Sequence, residues 1–344
     1  MNRALCVWWQ GTVVGDLILN EHGDLDFVYA TAWLDDATRP PISASLPKRA
    51  EPFNRRQTRP FYSGLLPEEA VLESVARKLG LSRTNDFQLL RALGGEVAGA
   101  LSLWPKGEVP PIYDEEARKA ALSDDELIAL LDELPKRPFL AGEEGLRLSL
   151  AGAQAKLPVV LVDDRIALPV AGQPTTHILK PPIPRFSATT ENEAFAMQLA
   201  AAVRLDVAPA VPQKVRDRTY LLVTRYDRGR DARGYTTRLH QEDFCQAMGI
   251  PPEHKYAAED SPTFRTSFEL LRRVATRPAI ETLKLLDAAI FNLIVGNADA
   301  HGKNFSLLYD VGETRWRRSM ISCVPPPTRM WRRAWRCSSL MRPI

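Results

Sequence analysis

The stretch Asn297-Ala298-Asp299-Ala300-His301-Gly302-Lys303-Asn304-Phe305-Ser306 decides how the fold of this chain is interpreted. It sets an Asp five residues ahead of an Asn inside a polar segment. A strand-like run follows from Phe305 to Tyr309. Ahead of it, apolar residues recur at helical spacing, at Leu283, Leu286, Ile290, Leu293 and Ile294. The pattern predicts a helix, a polar loop and a strand in that order.

Phosphotransferases of the protein-kinase type use this Asp-to-Asn spacing in their catalytic loop. The Asp accepts the proton of the substrate hydroxyl and the Asn holds a magnesium ion. The spacing alone is weak support, because average residue usage yields such a pair about once by chance in a chain of this length. The flanking helix and strand match a kinase C-lobe, whereas an ordinary polar connection is the competing interpretation. The pattern favours an ATP-dependent kinase.

Length and composition set the class of protein. The 344 residues are enough for two or three domains, and 45% hydrophobic with 25% charged residues is typical of a soluble globular chain. No apolar run approaches the roughly 18 residues that span a bilayer, and the apolar N-terminal run is too short for a signal peptide. We therefore expect a cytoplasmic protein with no membrane association.

The net charge of +3 has a local origin. From Arg315 onward the chain has eight Arg and no acidic residue, so the rest carries a net negative charge. This distribution does not support DNA binding by the folded part. The cysteines form no CxxC and, with five scattered histidines, offer no zinc spacing. We expect free thiols at Cys6, Cys245, Cys323 and Cys337.

Residues 1–105 are predicted to form an α+β domain without a catalytic cluster. Alternation and turn residues predict an antiparallel meander of strands at 4–8, 12–19 and 25–29. After a Pro-rich passage, one helix opens at Pro67-Glu68 and ends at Gly80. A second is capped by Asn85 or Asp86 and ends at Gly94, and a strand is predicted over 95–103. Residues 106–140 are a linker and one helix, with a capping box from Ser123 to Glu126.

Residues 141–235 carry the signals for nucleotide binding. Strands predicted over 146–150 and 158–162 flank Ala151-Gly152-Ala153-Gln154-Ala155-Lys156, whose small residues would let backbone N–H groups approach a phosphate. A plain hairpin connection is the alternative. A strand ending at Lys180 precedes a capping box from Thr190 to Glu193, so Glu193 could either cap its helix or pair with Lys180 as in kinases.

Further elements are predicted around these residues. The helix after Glu193 has Phe195, Leu199 and Val203 on one face. A hairpin over 214–224 leads into Arg225-Tyr226-Asp227-Arg228, where a kinase hinge would offer its backbone to adenine. A helical region is predicted to begin at 238–245 within residues 236–316, a partial C-lobe that contains the Asp-to-Asn loop.

Segments throughout residues 1–316 resemble the HipA family of bacterial toxin kinases. They keep the family order, which makes a chance match improbable. The matching segments are Pro60-Phe61-Tyr62-Ser63-Gly64-Leu65-Leu66-Pro67-Glu68, Gly94-Gly95-Glu96-Val97-Ala98-Gly99-Ala100, Leu148-Ser149-Leu150-Ala151-Gly152-Ala153-Gln154-Ala155-Lys156, Thr175-Thr176-His177-Ile178-Leu179-Lys180, Glu191-Asn192-Glu193, Arg225-Tyr226-Asp227-Arg228, Gln241-Glu242-Asp243 and the opening loop.

The resemblance implies an α+β, protein-kinase-like fold with an N-terminal antiparallel β-rich subdomain and an incomplete helical C-lobe. It implies ATP and Mg²⁺ as cofactors. It further implies an aminoacyl-tRNA synthetase-type protein as substrate, and a HipB-like helix-turn-helix antitoxin as partner, through which alone the protein would contact DNA.

The resemblance also implies residue roles. Asp299 is the expected catalytic base, with Asn304 as magnesium ligand and Lys303 beside them. Ser149 is the expected site of autophosphorylation. Phosphate there would add about −2 charge and eject the loop. The expected nucleotide-binding residues are Ala151, Gly152, Ala153, Gln154, Lys156, Lys180, Glu193, Thr224, Tyr226 and His301.

Residues 317–344 depart from the family pattern. Family members continue into a Pro-Leu-Tyr-Asp segment, whose Asp is the second metal ligand, and then into a large helical C-lobe. The codons of residues 318–335 permit such a segment in another reading frame, so we expect a frameshift product after about Trp316; sequencing the locus tests this. Asp310, followed by Gly312, is predicted to lie in a hairpin turn and does not replace the missing ligand.

Two other functions remain open from the sequence. One is a catalytically inactive remnant that only binds the antitoxin through its N-terminal domain. The other is a small-molecule phosphotransferase, because Asp-to-Asn loops containing a His also occur in lipid-kinase-like and antibiotic-kinase-like enzymes.

Overall fold

The computed structural model describes residues 3–184, 186–256, 261–297, 299–310 and 313–318. Of the aberrant tail predicted over 317–344, only residues 317 and 318 are described, at the end of a strand, and residues 319–344, with Cys323 and Cys337, lie outside the described residues. Among the described cysteines, Cys6 and Cys245 are buried free thiols.

The N-terminal part is a four-stranded antiparallel sheet covered by helices. Its strands are β1 (Ala4–Trp9), β2 (Thr12–Leu19), β3 (Leu25–Tyr29) and β4 (Leu101–Pro105), in the order β3-β2-β1-β4. The predicted meander is therefore confirmed. Its helices are α1 (Thr31–Asp35), α2 (Arg55–Ser63), α3 (Glu69–Leu79) and α4 (Asp86–Leu93).

Local sequence signals predicted the ends of α3 and the start of α4 correctly. Gly80 ends α3 in the left-handed conformation (φ 66°), which a residue without Cβ adopts at little cost. The Asn85 side chain caps α4 by accepting from the Gln88 N–H. Helix α2 was missed because it contains Pro60, although the capping box between Asn54 and Gln57 marks its start.

The second part is a five-stranded antiparallel sheet in the order β6-β5-β7-β9-β8. Helix α5 (Asp124–Glu133) precedes it with the predicted capping box. The strands are β5 (Leu157–Val162), β6 (Arg165–Ala167), β7 (His177–Lys180), β8 (Ala210–Val215) and β9 (Arg218–Thr224). Side chains of this sheet, such as Leu157 and Leu179, share one hydrophobic core with the N-terminal sheet.

The third part carries the loop from Asp299 to Asn304. After the hairpin β10 (Arg228–Arg230) and β11 (Thr236–Arg238), strands β12 (His240–Asp243), β13 (Phe305–Asp310) and β14 (Glu313–Arg318) form a sheet. Asp310 faces Glu313 in that pairing, as expected for a hairpin there. The helices are α6 (Thr189–Ala202), between β7 and β8, and then α7 (Phe244–Met248), α8 (Phe264–Val274) and α9 (Pro278–Ile294).

Three predicted strands or helices were wrong. Residues 146–150 form no strand; only Leu148 bridges Glu96. The strand predicted over 95–103 begins at Leu101, because Gly99 (φ 84°) turns the chain and donates its N–H to Asp227. Residues 240–243 are strand β12 and not helix, because they pair with β13 from far along the chain. Local propensity cannot reveal such pairing.

The buried face of α6 also differs from the prediction. Phe195 and Val203 are exposed, and the buried positions include Ala196, Met197 and Ala200. Small side chains let the helix lie close to β8 and β9, so the bulky residues face outward. The predicted capping box is wrong as well, because the helix begins at Thr189 and its N-cap, Ala188, makes no side-chain cap.

Candidate active site

One cleft of about 780 Å³ brings the predicted site residues together. It lies between the five-stranded sheet and the segment that precedes β13. All thirteen of the predicted catalytic and nucleotide-binding residues line it, whereas Ser149, the predicted site of autophosphorylation, lies just ahead of the lining segment 150–156. The lining includes Ala151, Gly152, Ala153, Gln154, Lys156, Lys180, Glu193, Thr224, Tyr226, Asp299, His301, Lys303 and Asn304.

The predicted ion pair across the sheet and α6 is confirmed. Lys180 ends β7, and its Nζ donates to Glu193 Oε1 at 2.7 Å. Both side chains are buried. Glu193 therefore does not cap its helix; it faces the cleft from the second turn of α6. This removes the simpler interpretation of the Thr190-to-Glu193 pattern.

The small-residue loop at 151–156 curls around a second lysine. Lys156 Nζ donates to the Ala151 carbonyl at 2.6 Å. A Cβ on Gly152, whose φ is 115°, would lie 2.4 Å from that Nζ, so only glycine fits without strain. Burial and the nearby Lys180 ammonium lower the pKa of Lys156 to about 7. The Lys156 and Lys180 amines thus lie close enough to repel each other. A phosphate bound beside them would stabilise their charged forms.

Asp299 also lines the cleft. Its Oδ1 accepts from the Tyr256 hydroxyl at 3.3 Å. Withdrawal from bulk water raises its pKa to about 6, although Lys255 and the Tyr256 hydroxyl act in the opposite direction. The walls of the cleft surround the carboxylate, yet 49% of its side-chain surface remains accessible for a substrate. A carboxylate with this pKa is suited to accept a proton near neutral pH.

Backbone and amide hydrogen bonds shape the loop around Asp299. Asn304 Nδ2 donates to the Asp299 carbonyl, and the Asp299 N–H donates to Asn297 Oδ1 at 3.1 Å. Because the donor of the Asn304 amide is engaged inside the loop, its oxygen is the group that could face a cation. Asp299 and Asn304, whose spacing identified the loop in the sequence, are therefore also joined by a hydrogen bond that holds the loop together.

His301 is a neutral residue inside this loop. Burial lowers its pKa to about 3. Its Nε2 lies 3.5 Å from Asp299 Oδ1, and the Tyr256 ring packs edge-on against the imidazole. Near neutral pH it adds no positive charge beside the expected base.

Lys303 is held by fixed ion pairs at the base of the cleft. Its Nζ donates to Asp243 Oδ2 at 2.7 Å and to the Gly64 carbonyl at 3.2 Å. Burial opposes its charge, but Asp243 and Glu68 raise its pKa above the usual value. Lys303 thus anchors the loop to β12 and to the N-terminal part.

Several cleft residues escaped the sequence analysis as site candidates. Lys255 forms ion pairs with Glu68 and Glu69 beside Asp299, and Lys303 and Lys255 together lower the pKa of Glu68 to about 2 despite its burial. On the side of the five-stranded sheet, the Tyr226 hydroxyl donates to Gln241. The quoted segments 60–68 and 241–243 contain two of these residues, but no local pattern shows that they meet.

The predicted hinge segment is anchored by a buried charge cluster. Arg225 donates to both oxygens of Asp227, at 2.9 and 2.7 Å. Glu96 of the N-terminal part accepts from Arg225, Arg228 and Arg238. Since breaking such a buried cluster leaves uncompensated charge, it locks the sheet containing Thr224 to the N-terminal part.

Ser149 does not reach the cleft in this conformation. It is fully buried, and its hydroxyl donates to the Leu65 carbonyl at 2.7 Å. Its N–H donates to the Glu96 carbonyl at 2.9 Å. The segment would have to leave this position before Ser149 could accept a phosphoryl group.

Comparison with known proteins places this geometry in a family. A model described as the HipA N-terminal domain matches residues 5–104, and a model described as the HipA-like C-terminal domain matches residues 148–320. A relative in Sinorhizobium fredii, Y4mE, whose name describes it as a kinase, is 61% identical over 312 residues. These residues cover 90% of this chain and 74% of that protein. This chain belongs to the HipA family. The predicted family is thereby confirmed.

HipA relatives agree in function and fold. The serine/threonine-protein kinase toxin HipA of Shewanella oneidensis is 31% identical over 307 residues, covering 86% of this chain and 69% of that protein. Shewanella oneidensis HipA solved with HipB and operator DNA has a TM-score of 0.77 at 27% identity, covering 92% of this chain and 76% of that one. The predicted α+β, kinase-like HipA fold and the assignment to a kinase family are confirmed.

Two further properties concern metals and membranes. Among the described residues of this HipA-family chain, no group of three or more His, Cys, Asp or Glu side chains could by itself hold a metal ion. Within that same part of the chain, no helix has the length and apolar character needed to cross a membrane.

Proposed function

We propose that this chain transfers the γ-phosphoryl group of ATP to a serine or threonine hydroxyl of a protein. The observation that carries this proposal is the cleft that the Lys180–Glu193 pair and Asp299 line together. Lys180 and Lys156 would grip the phosphates, and Asp299 would accept the proton of the attacking hydroxyl. Thr224 and Tyr226 would lie beside the base of the nucleotide.

The residues present suit a magnesium–nucleotide complex better than a free metal ion. Asn304 supplies one amide oxygen, so most ligands of the ion would come from the phosphates and water, as Mg²⁺ prefers. When bound, Mg²⁺ neutralises charge on the phosphates. The second metal aspartate of the family has no counterpart in the tail, since no acidic residue follows Arg315.

The proposed partners rest on the family. A helix-turn-helix antitoxin is supported by the Shewanella complex, which contains HipB and operator DNA. We assign the acceptor to the translation apparatus, an aminoacyl-tRNA synthetase-type protein, and the reaction to the cytoplasm. Contact with DNA would be indirect, through the antitoxin.

Phosphate transfer from labelled ATP with Mg²⁺ tests the activity. We expect incorporation into Ser149 and into the protein acceptor, and loss of both in Asp299→Asn. Asp287→Asn, at an exposed position of α9, is the matched control and should retain activity. Transfer by Asp299→Asn at the wild-type rate would contradict the assignment of the base.

A second candidate function is that of an inactive protein that only binds the antitoxin. No transfer together with stable binding of a HipB-like antitoxin would support that alternative. Phosphorylation of a small molecule, and of no protein, would instead support a small-molecule phosphotransferase.

A further inference from the structure

A second cavity of about 630 Å³ lies behind the N-terminal sheet, away from the catalytic cleft. One wall is the face of β1 and β4 that points away from the main core. The other walls come from loops at 145–148 and 169–174, with Pro110, Pro111, Thr237 and Arg238 at the edges. Its size is that of a small-molecule site.

Two indoles on the sheet wall have donors without acceptors. In the β1–β4 register Trp8 faces Ser102 and Cys6 faces Trp104, so both Trp side chains lie on the same face of the sheet. Both Nε1 atoms are buried, and neither has a hydrogen-bond partner within the described part of the chain. Both Nε1 atoms are closed to solvent, so the cavity contacts other atoms of these two aromatic side chains.

A guanidinium on the facing wall adds charge to the same cavity. Arg147 lies over the Trp104 ring, with Cζ 4.2 Å from the ring centroid. It donates to the Arg91 and Leu103 carbonyls, but no carboxylate of the described residues lies within ion-pair distance of it. Burial lowers its pKa to about 10, so it remains charged near neutral pH.

The cavity wall that contains Arg147 is tightly packed against the segment at Gly95. A Cβ on Gly95 would lie 2.7 Å from the Arg147 Cβ, so glycine permits the close approach of the two segments. Arg238, also at the cavity, shares the Glu96 carboxylate with two other arginines. The polar lining of the cavity therefore includes many hydrogen-bond donors and positively charged groups. Apolar groups such as Pro111 and Val170 form the remaining part of the lining.

We propose that this cavity binds a small planar aromatic molecule that carries one anionic group. The ring would pack among the indoles and prolines, and the anion would accept from Arg147. A charge-assisted hydrogen bond to Arg147 would distinguish an anion from a neutral molecule of the same shape. This site is separate from the proposed ATP cleft and does not depend on phosphoryl transfer.

The site also contacts the segment that leads to Ser149. Leu148 lines the cavity and bridges Glu96, whose carbonyl accepts from the Ser149 N–H. A bound ligand would therefore reduce the motion of residues 145–148, immediately ahead of the phosphate loop.

Calorimetric titration of the full chain with naphthalene-2-carboxylate tests the proposal. We expect saturable binding of one molecule, about tenfold or more tighter than that of naphthalene-2-carboxamide. Hydrogen exchange of the amides at 145–148 should slow when the carboxylate is bound. ATP should not displace it.

Two variants and a matched control locate the site. Arg147→Met removes the charge, and Trp104→Phe replaces the indole on which Arg147 stacks by a smaller ring; each should weaken the carboxylate about tenfold. Arg49→Met is the control, because Arg49 stacks on Phe53 in the same domain at 3.8 Å but lies outside the cavity. Equal binding of the two probes, absence of binding, displacement by ATP or unchanged affinity in a folded Trp104→Phe variant would overturn the proposal.

Discussion

Lys180 Nζ lies 2.7 Å from Glu193 Oε1, and both side chains are buried between β7 and α6. The contact ties the end of a strand to the second turn of the following helix. It also fixes the amine at the phosphate end of the cleft. Because the two charges are withdrawn from water, each depends on the other for compensation.

Replacing Glu193 by Gln should destabilise the protein and weaken ATP binding. The substitution keeps the shape but removes the buried carboxylate that pairs with Lys180, and breaking a buried ion pair typically costs roughly 3–5 kcal/mol. Chemical unfolding and nucleotide titration measure the two effects. Glu191→Gln, at an exposed position of the same helix, should leave both unchanged. Wild-type stability of Glu193→Gln would show that the ion pair is dispensable.

Activity should rise with pH through about 6. Asp299 must be ionised to accept a proton, and its pKa is raised to about 6, so kcat/KM should fall about tenfold per pH unit below that value. Tyr256→Phe removes a hydrogen bond that stabilises the carboxylate, so the midpoint should move to higher pH. A pH profile of the transfer rate from 5 to 8 measures both. A profile that is flat from pH 5 to 7 would exclude Asp299 as the titrating base.

Stability should fall as pH rises toward 7, because of Glu242. Burial raises the pKa of this carboxyl to about 7, although it accepts from Ser43, Tyr309 and the Ala44 N–H. The folded state therefore binds a proton that the unfolded state releases near its ordinary pKa of 4.5. Stability from this group is present below that value and is lost as pH rises through 7.

Glu242→Gln should remove this part of the pH dependence. The neutral amide keeps the shape, and the Ser43 hydroxyl can reverse to accept from it while facing the Gln246 carbonyl at 3.5 Å. Thermal unfolding from pH 5 to 8 compares the two proteins, and the variant should gain relative stability at the alkaline end. Parallel curves for the two proteins would contradict the assignment to Glu242.

The outer face of α9 should promote self-association. Leu283 is 62% exposed, and the apolar side chains of Leu286, Ile290, Leu293 and Ile294 are exposed on the same helix. Uncovered apolar helix faces are a known cause of aggregation. Leu283→Gln combined with Ile290→Gln should therefore lower the self-association seen by sedimentation velocity.

A buried leucine on α9 provides the contrast. Leu285 is only 1% exposed, and Leu285→Gln should destabilise the fold by about 2–5 kcal/mol instead of improving solubility. Unchanged sedimentation of the Leu283→Gln, Ile290→Gln protein would show that this face does not cause association.

The sequence by itself determined the positions of most helices and strands and pointed to residues 299–304 as the candidate catalytic loop. Helix caps act on neighbouring backbone groups, so they can be recognised from the sequence alone. Examples are the capping box of Ser123 and Glu126, the Asn85 N-cap and the Gly80 C-cap. The Asp299-to-Asn304 spacing is equally local. The order of the family segments then supported one kinase family.

Only the tertiary structure decided which side chains meet. In the folded protein, Glu193 faces Lys180, and alanines of α6 are buried in place of Phe195. Residues 240–243 are a strand because they pair with β13. The tertiary structure also raised the pKa of Asp299 and placed Trp8, Trp104 and Arg147 around one cavity. These outcomes depend on desolvation and on neighbours that are distant in the chain, which no local sequence pattern contains.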